Sequence, residues 1–529
     1  MGARTGQQYL DSIRANQPEV YFNGERIADV TTHPAFVGPA KTIAEQYDLQ
    51  HDPRFRDICL FESPTSGDLV SSAFLVPQSR EDIIKRRRHF KIRADHHFGT
   101  MGRAPDFMNA WVTNWMFSAE HYGTANPKYG ANAKAYAEYV RENDLFLTHM
   151  LVNPQIDRGR TSANQEDPFF HLGRAGETSE GIVIRGAKML GTMAPLTEEL
   201  IVSPFGGVAP GDDAYALVFS IPTNTKGVKF VCRESYSPGD RNLFDHPLSS
   251  RFEEMDCVAI FDDVVVPWDR IVVDGSPGSG ALVNGAPLDP RAGTNIQTAS
   301  RQMASLELLI GVATRLADAI GITGFLHIQE KLGQMLQQYE QVKTGYLASD
   351  AMATERPDGY WVPYMDGIAA SHRQAGMIHQ QYVEIIHTLA GGGFFYAPSK
   401  GDFDNEELRP YIDKFVRGRP GISAEERVKL FKLAWDLTGD GFGQRLRQYV
   451  KFYSGDPVRN TAGFYLGYDK SLFSAVVDRV FAGSDGEVPV PPIGVTPPVR
   501  RQRSADLTLS YPAASHPTTP AAARTSAPQ

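Results

Sequence analysis

Hydrophobic spacing changes character twice along these 529 residues. That double switch confines the chain to a helical segment, a β segment and a second helical segment, in that order. Residues 1–155 read mainly as helix broken by loops. Within them Val20-Tyr21-Phe22 and Arg26-Ile27 flank Asn23-Gly24, a hairpin signal. Ser79 before Arg80-Glu81-Asp82 is a helix start, with a serine cap and acids in the first turn. The basic run from Lys85 to Arg93 follows on that helix and reads as a solvated face. Across 156–285 the pattern becomes short apolar runs: Gly181–Ile184, Glu199–Val202, Ala214–Ile221, Gly227–Cys232 and Cys257–Val266. Pro, Gly, Asn and Asp separate them, which predicts a compact antiparallel barrel or sandwich. Beyond residue 290, Met303, Leu306, Leu309, Val312, Leu316 and Ile320 keep one face, as do Leu332, Met335, Tyr339 and Val342. Met377 to Leu389 and Glu425 to Tyr453 continue the helical texture, and long antiparallel helices imply a bundle over 286–488. The proline-rich end, 489–529, holds too little apolar surface to offset its ordering entropy and is expected to be disordered.

Composition removes several function classes. A net charge of −9 opposes binding to a polyanion, which needs a basic surface to release counterions, so no nucleic-acid partner is expected. Cys59, Cys232 and Cys257 form no CxxC pair, so a disulfide framework or zinc module is not expected. No leader-like or membrane-spanning run is visible, and a cytoplasmic chain is the expectation.

Two loop-like stretches suggest chemistry. Arg103 lies in Gly102-Arg103-Ala104-Pro105-Asp106-Phe107, where Pro105 disfavours helix at the residue before it. His149 lies in Thr148-His149-Met150-Leu151-Val152-Asn153-Pro154-Gln155-Ile156-Asp157-Arg158. Taken alone, a loop arginine is ordinarily solvated and a histidine beside apolar residues is ordinarily a satisfied core side chain. An imidazole that titrates at about 6.5 can exchange a proton near neutral pH, and a guanidinium stabilises developing negative charge.

Both stretches resemble the oxygenase component of the two-component 4-hydroxyphenylacetate 3-monooxygenase family. The likeness extends through Arg185–Pro195, Pro247–Phe252, Phe261–Val264 and Phe452–Pro457, and covers roughly residues 4–485. The resemblance implies an α+β, mainly helical, acyl-CoA dehydrogenase-like fold: an N-terminal helical domain, a central antiparallel β domain and a C-terminal bundle. It implies that FADH2 from a separate flavin reductase, with O2, acts through a C4a-hydroperoxide to hydroxylate a phenol beside its hydroxyl. Arg103 and His149 become the catalytic pair, and Arg103, Phe107 and His149 the substrate contacts. Gln155, Ile156, Asp157, Arg158, Thr192, Ser454, Gly455, Asp456 and Pro457 become flavin contacts, and a homotetramer is implied. Phe107 departs from the pattern, since the family has tyrosine there. That leaves the substrate open among hydroxyphenyl acids, tyrosine-like phenols and carrier-tethered phenols. The Gly206–Asp213 loop matches a mobile substrate loop of the family.

Other motifs carry less. Gly275–Gly280 lacks the GxGxxG spacing, and Leu282-Val283-Asn284 is not expected to continue it as a helix, so no nicotinamide fingerprint is expected on this chain. His96-His97 has no partner motif, and no metal site is expected. Gly391-Gly392-Gly393 reads as a helix stop. Two alternatives remain open here. One is a flavin lyase like 4-hydroxybutyryl-CoA dehydratase, which would need clustered thiolates for an iron–sulfur centre. The other is a flavin-binding scaffold that has lost catalysis, motivated by Phe107.

Overall fold

The computed structural model describes residues 2–237, 242–286, 292–453 and 455–482. The proline-rich 489–529 stretch and Ser454 lie outside them. Contacts divide the chain at Thr461. The fold of the larger unit is α+β and mainly helical.

The first 146 residues are helices with two short antiparallel strand pairs, a hairpin near residue 23 and Leu60–Glu62 with Leu69–Ser71. Thr5 and Gln8 close a capping box on the Gly6–Asn16 helix, and Ser79 accepts from the Asp82 N–H to start Arg80–His96. The hairpin pairs Val20–Phe22 with Glu25–Ile27 across Asn23 and Gly24, both at positive φ, as a tight hairpin turn requires. The basic run on Arg80–His96 does not form a solvated face. Arg86, His89 and Arg93 are buried with Ile83, Phe90 and Ala94 along one stripe. Arg86 donates to the Ala73 carbonyl at 3.1 Å and Arg93 to Gln50 Oε1 at 2.9 Å. Their aliphatic stems fill core volume while the guanidinium ends find oxygens, which apolar periodicity does not register.

The central strands form two open sheets, and no closed barrel occurs among the described residues. One sheet has six strands in the order Glu25–Ile27, Val20–Phe22, Val228–Cys232, Cys257–Pro267, Gly181–Lys188 and Gly173–Glu177. The other has four: Ile271–Asp274, Leu217–Pro222, Glu199–Val202 and Leu147–Met150. Neither is purely antiparallel. Val20–Phe22 runs parallel to Val228–Cys232, and Leu147–Met150 runs parallel to Glu199–Val202. Both intruding strands come from the N-terminal helical region and cover strands that would otherwise expose unpaired backbone groups. A short helix, Ser279–Asn284, also forms where none was expected.

Ala292–Ala319, Leu326–Ala351 and Met365–Ala390 are long helices packed on one another. The last of these ends at Gly391, φ +50°, the expected stop. The single helix expected over 425–453 is two, Ala424–Thr438 and Gly441–Phe452. The break falls where Asp440 caps the second helix through the Gly443 N–H. No described helix is long and apolar enough to cross a membrane. In the second unit, Ser471–Ala482 is helical and Phe473 stacks on Tyr468 with centroids 6.1 Å apart.

A buried ion pair fixes the approach to the Leu147–Met150 strand. Arg4 grips both oxygens of Glu198, at 2.5 and 2.8 Å, and also touches the Tyr47 hydroxyl. Glu198 in turn accepts from the Phe146 N–H at 2.8 Å. Removing one partner strands a buried charge, so Arg4→Met is expected to cost about 3–5 kcal/mol, read as a lowered urea midpoint of unfolding.

Candidate active site

Loop 97–104 is held in an unusual shape before it delivers Arg103. Phe98 and Gly99 both have positive φ, at +54° and +68°. A Cβ on Gly99 would meet the Arg301 carbonyl at 2.3 Å, and one on Gly102 would meet the Tyr449 hydroxyl at 2.1 Å. The loop is thus pressed between the Ala292–Ala319 and Gly441–Phe452 helices. Arg103 donates its backbone N–H to Glu254 Oε1 at 2.5 Å, and Pro105 then opens the Pro105–Gly123 helix. The Arg103 side chain is 3 % exposed.

Four aromatic side chains and a histidine collect around that guanidinium. Arg103 Cζ lies 4.6 Å from the Phe107 ring centre and 5.9 Å from that of Tyr453. Phe107 and Trp111, four apart on their helix, stand 6.0 and 5.4 Å from the His149 ring, and Phe107 is 5.6 Å from Tyr453. Tyr449 is 4.9 Å from Tyr453. His149 is half-buried, and its Nδ1 is enclosed without a protein partner among the described residues. Burial, reinforced by Arg103, holds its imidazole well below the usual range, so the ring is neutral near pH 7. Arg103 Nε and Nη1 are likewise buried and unpartnered among the described residues. The arrangement offers an aromatic slot with one positive donor and one neutral base.

The residues expected to hold flavin fall into three places. Thr192 is buried in a tight turn where Leu190 and Met193 both have positive φ, and its carbonyl accepts from Thr148 Oγ1 at 2.7 Å, next to His149. Gln155, Ile156, Asp157 and Arg158 lie on an exposed loop. That loop is pinned by Gln165 donating to the Asp157 carbonyl at 2.9 Å and by His171 meeting the Pro154 carbonyl at 3.1 Å. Gly455, Asp456 and Pro457 form a turn two residues after Tyr453. Gly455 has φ +100°, and Asp456 caps the next helix through the Arg459 N–H at 2.9 Å. A Cβ on Gly455 would come within 3.2 Å of Phe205, at the root of the 206–213 loop. That loop is tied by Asn284, which exchanges two hydrogen bonds with Val208 at 2.8 and 2.9 Å. Buried guanidinium nitrogens, aromatic faces and a glycine turn that lets backbone approach closely suit the polar edge and flat rings of an isoalloxazine.

Sequence reasoning missed the groups that hold these pieces together. Arg445 bridges Asp256 through Nε and Nη2, at 3.0 and 2.8 Å, and reaches Glu254 Oε2 at 2.6 Å. Asp256 also accepts from Thr192 Oγ1 at 2.6 Å, and Arg233 adds a contact at 3.1 Å. Burial alone would raise the Asp256 carboxyl, but Arg445 and Arg233 hold it at about 2. One chain of contacts therefore runs from Thr192 to the Arg103 backbone. Elsewhere, His246, Asp436 and Asp440 bring ligand-type atoms within 4.8 Å of one another. Their carboxylates already serve backbone: Asp436 accepts from Leu248 and Ser249, and Asp440 from Gly443. The thiols do not assemble a cluster site with them. Cys232 and Cys257 face each other across two strands, while Cys59 ends a short helix of the N-terminal region.

Known proteins resemble this chain over most of its length. The family models described as 4-hydroxyphenylacetate 3-hydroxylase, N terminal and C terminal, match residues 5–273 and 291–482. The chain is similar to the 4-hydroxyphenylacetate 3-monooxygenase oxygenase component of Thermus thermophilus, 38% identical over 89% of this chain and 96% of that one. It is 32% identical, over 85% of each chain, to a Streptomyces globisporus monooxygenase named for a 3-chloro-4-hydroxyphenyl β-amino acyl group on a peptidyl-carrier protein. Among solved structures, the oxygenase component of 4-hydroxyphenylacetate 3-monooxygenase complexed with FAD and 4-hydroxyphenylacetate aligns with a TM-score of 0.86 at 37% identity. That alignment covers 91% of this chain and 98% of the other. The chain belongs to the 4-hydroxyphenylacetate 3-hydroxylase family.

Proposed function

We propose that this chain is the oxygenase component of a two-component flavin monooxygenase that hydroxylates a phenol beside its hydroxyl group, giving a catechol. The observation that carries the reading is the convergence of Arg103, Phe107 and His149 with Tyr453, two residues before the Gly455–Pro457 turn. Reduced FAD, when bound, supplies with O2 the electrophilic oxygen that the protein side chains cannot provide. Phe107 and Trp111 wall the aromatic substrate. His149 takes the phenolic proton at Nδ1, and Arg103 stabilises the resulting phenolate, whose ring carbons beside the oxygen are then electron-rich. The buried aromatic walls keep water from the reacting atoms. Gln155–Arg158, Thr192 and the Gly455–Pro457 turn, with Ser454 beside it in sequence, hold the flavin, and the 206–213 loop closes over the substrate.

The reduced flavin comes from a separate reductase, the enzyme works in the cytoplasm, and it assembles as a homotetramer. Phe107 leaves the phenol oxygen one hydroxyl fewer than the family pattern. That favours a biosynthetic or carrier-bound phenol over 4-hydroxyphenylacetate itself. Similarity to a carrier-dependent relative supports keeping tethered phenols in the substrate class.

The purified chain, supplied with a flavin reductase, NADH, FAD and air, is expected to convert at least one of a panel of free and carrier-bound phenols to its catechol by mass spectrometry. No catechol from any of them defeats the reading. His149→Ala is expected to lower turnover by about 10²–10⁴-fold, the usual contribution of a proton acceptor. Because the imidazole is held below its ordinary range, its neutral form persists as pH falls. The acid limb of kcat/KM is therefore expected well under the usual histidine value, and a limb centred at about 6.5 contradicts it. Phe107→Tyr is expected to lower the KM for 4-hydroxyphenylacetate by about fivefold, a net hydrogen bond's worth.

A further inference from the structure

Arg301 is fully buried on the Ala292–Ala319 helix, and its surroundings differ from those of the other guanidiniums near the site. Arg445 is matched by Glu254 and Asp256, and Arg233 by Glu253 and Asp256. Arg301 makes no ion pair among the described residues. Its Nη1 donates to the Gly99 carbonyl at 3.2 Å, while Nε and Nη2 have no protein acceptor. It otherwise meets the faces of Tyr453 at 4.9 Å and Tyr449 at 5.8 Å. The buried imidazoles of His372 and His379 are nearby and neutral, pushed down to about 3 by burial first and by Arg301 second. Among the described residues no carboxylate is paired with this charge, and leaving a buried guanidinium unpaired is unfavourable.

Its placement says what would balance it. Tyr449 and Tyr453 close the helix that leads into the Gly455–Pro457 turn, and Tyr453 is the ring that Arg103 also faces, at 5.9 Å. Arg301 reaches the Gly99 carbonyl and the two tyrosines rather than Trp111 and His149, the groups that wall the phenol. An anion seated beside Tyr453 would lie near two guanidiniums, Arg103 and Arg301, whose side chains keep unpartnered nitrogens. Reduced isoalloxazine is an anion near neutral pH, whereas the oxidised ring is neutral. Unshielded positive charge in a dry site therefore distinguishes the two redox forms.

We propose that Arg301 is a positioning residue that makes the flavin site selective for the anionic, reduced cofactor over the oxidised one. The inference rests on the flavin reading above and adds a separate, binding-level property to it. Anaerobic titration of the full chain with dithionite-reduced FAD, and aerobic titration with oxidised FAD, test it without turnover. Wild type is expected to bind the reduced form more tightly. Arg301→Gln is expected to lose about tenfold or more of that affinity while its affinity for oxidised FAD changes by less than about threefold, the signature of one lost charge-assisted contact. Arg301→Lys keeps the charge and is expected to retain the preference, which holds the test open if the glutamine variant does not fold. Equal weakening of both forms, or no change in either, overturns the proposal. So does a raised KM confined to carboxylate-bearing phenols with flavin binding intact, which would make Arg301 a substrate clamp. Wild type that binds neither form defeats the flavin reading itself, whereas wild type that prefers reduced FAD and a glutamine variant that does too defeats only the role of Arg301.

Discussion

The Arg445 guanidinium, fixed between Asp256 and Glu254, is the contact on which the site's geometry turns. Three segments distant in sequence meet there: the loop that carries Arg103, the turn that carries Thr192, and the helix that ends at Tyr449 and Tyr453. A buried charge pair adds little to net stability, because desolvation offsets most of the attraction, but it penalises every arrangement in which a partner is left alone. Here the penalty selects one register among the three segments. Glu254 spends its second oxygen on the Arg103 backbone N–H, so the same carboxylate that balances Arg445 also sets the height of the Arg103 loop.

Desolvation does a second job a few ångströms away. His149 is kept neutral because its ring is enclosed by Phe107 and Trp111 and because Arg103 repels a second positive charge. The Arg103 side chain, for its part, has no carboxylate partner among the described residues. A base that stays unprotonated beside a cation that stays unpaired suits a substrate that arrives neutral and must leave its proton behind. Without bound substrate such a pair is unfavourable to the fold, and the matched pairs that fix its surroundings, Arg4 with Glu198 and Arg445 with Asp256, lie around the pocket rather than in it.

What could be read before the structure was what short-range pattern encodes. The three-part order of textures, the Asn23-Gly24 hairpin, the Ser79 cap and the stop at Gly391 all follow from local spacing and turn chemistry. Arg103 and His149 stood out through motif resemblance, and they do lie together beside Phe107. What stayed hidden depends on contacts across hundreds of residues. Arg445 and Arg301 are unremarkable charged positions on helices, and Asp256 and Glu254 follow a phenylalanine in an ordinary acidic run. The burial of Arg86, His89 and Arg93 was illegible because a charged stripe mimics a wet face. The parallel pairing of Leu147–Met150 was illegible because four residues carry no record of the strand they will join.

That short strand has a mechanical meaning. Its rungs with Glu199–Val202 pair His149 with Ile201 and Met150 with Val202, and the Ser203 amide donates back to the Met150 carbonyl at 3.3 Å. The root of the 206–213 loop is thus stitched to the very strand that holds the histidine. A gate swinging from residue 203 would drag the imidazole with it. Bending is left to the glycines at 206 and 211, both already at positive φ, so a closure of the kind proposed above would leave the imidazole still.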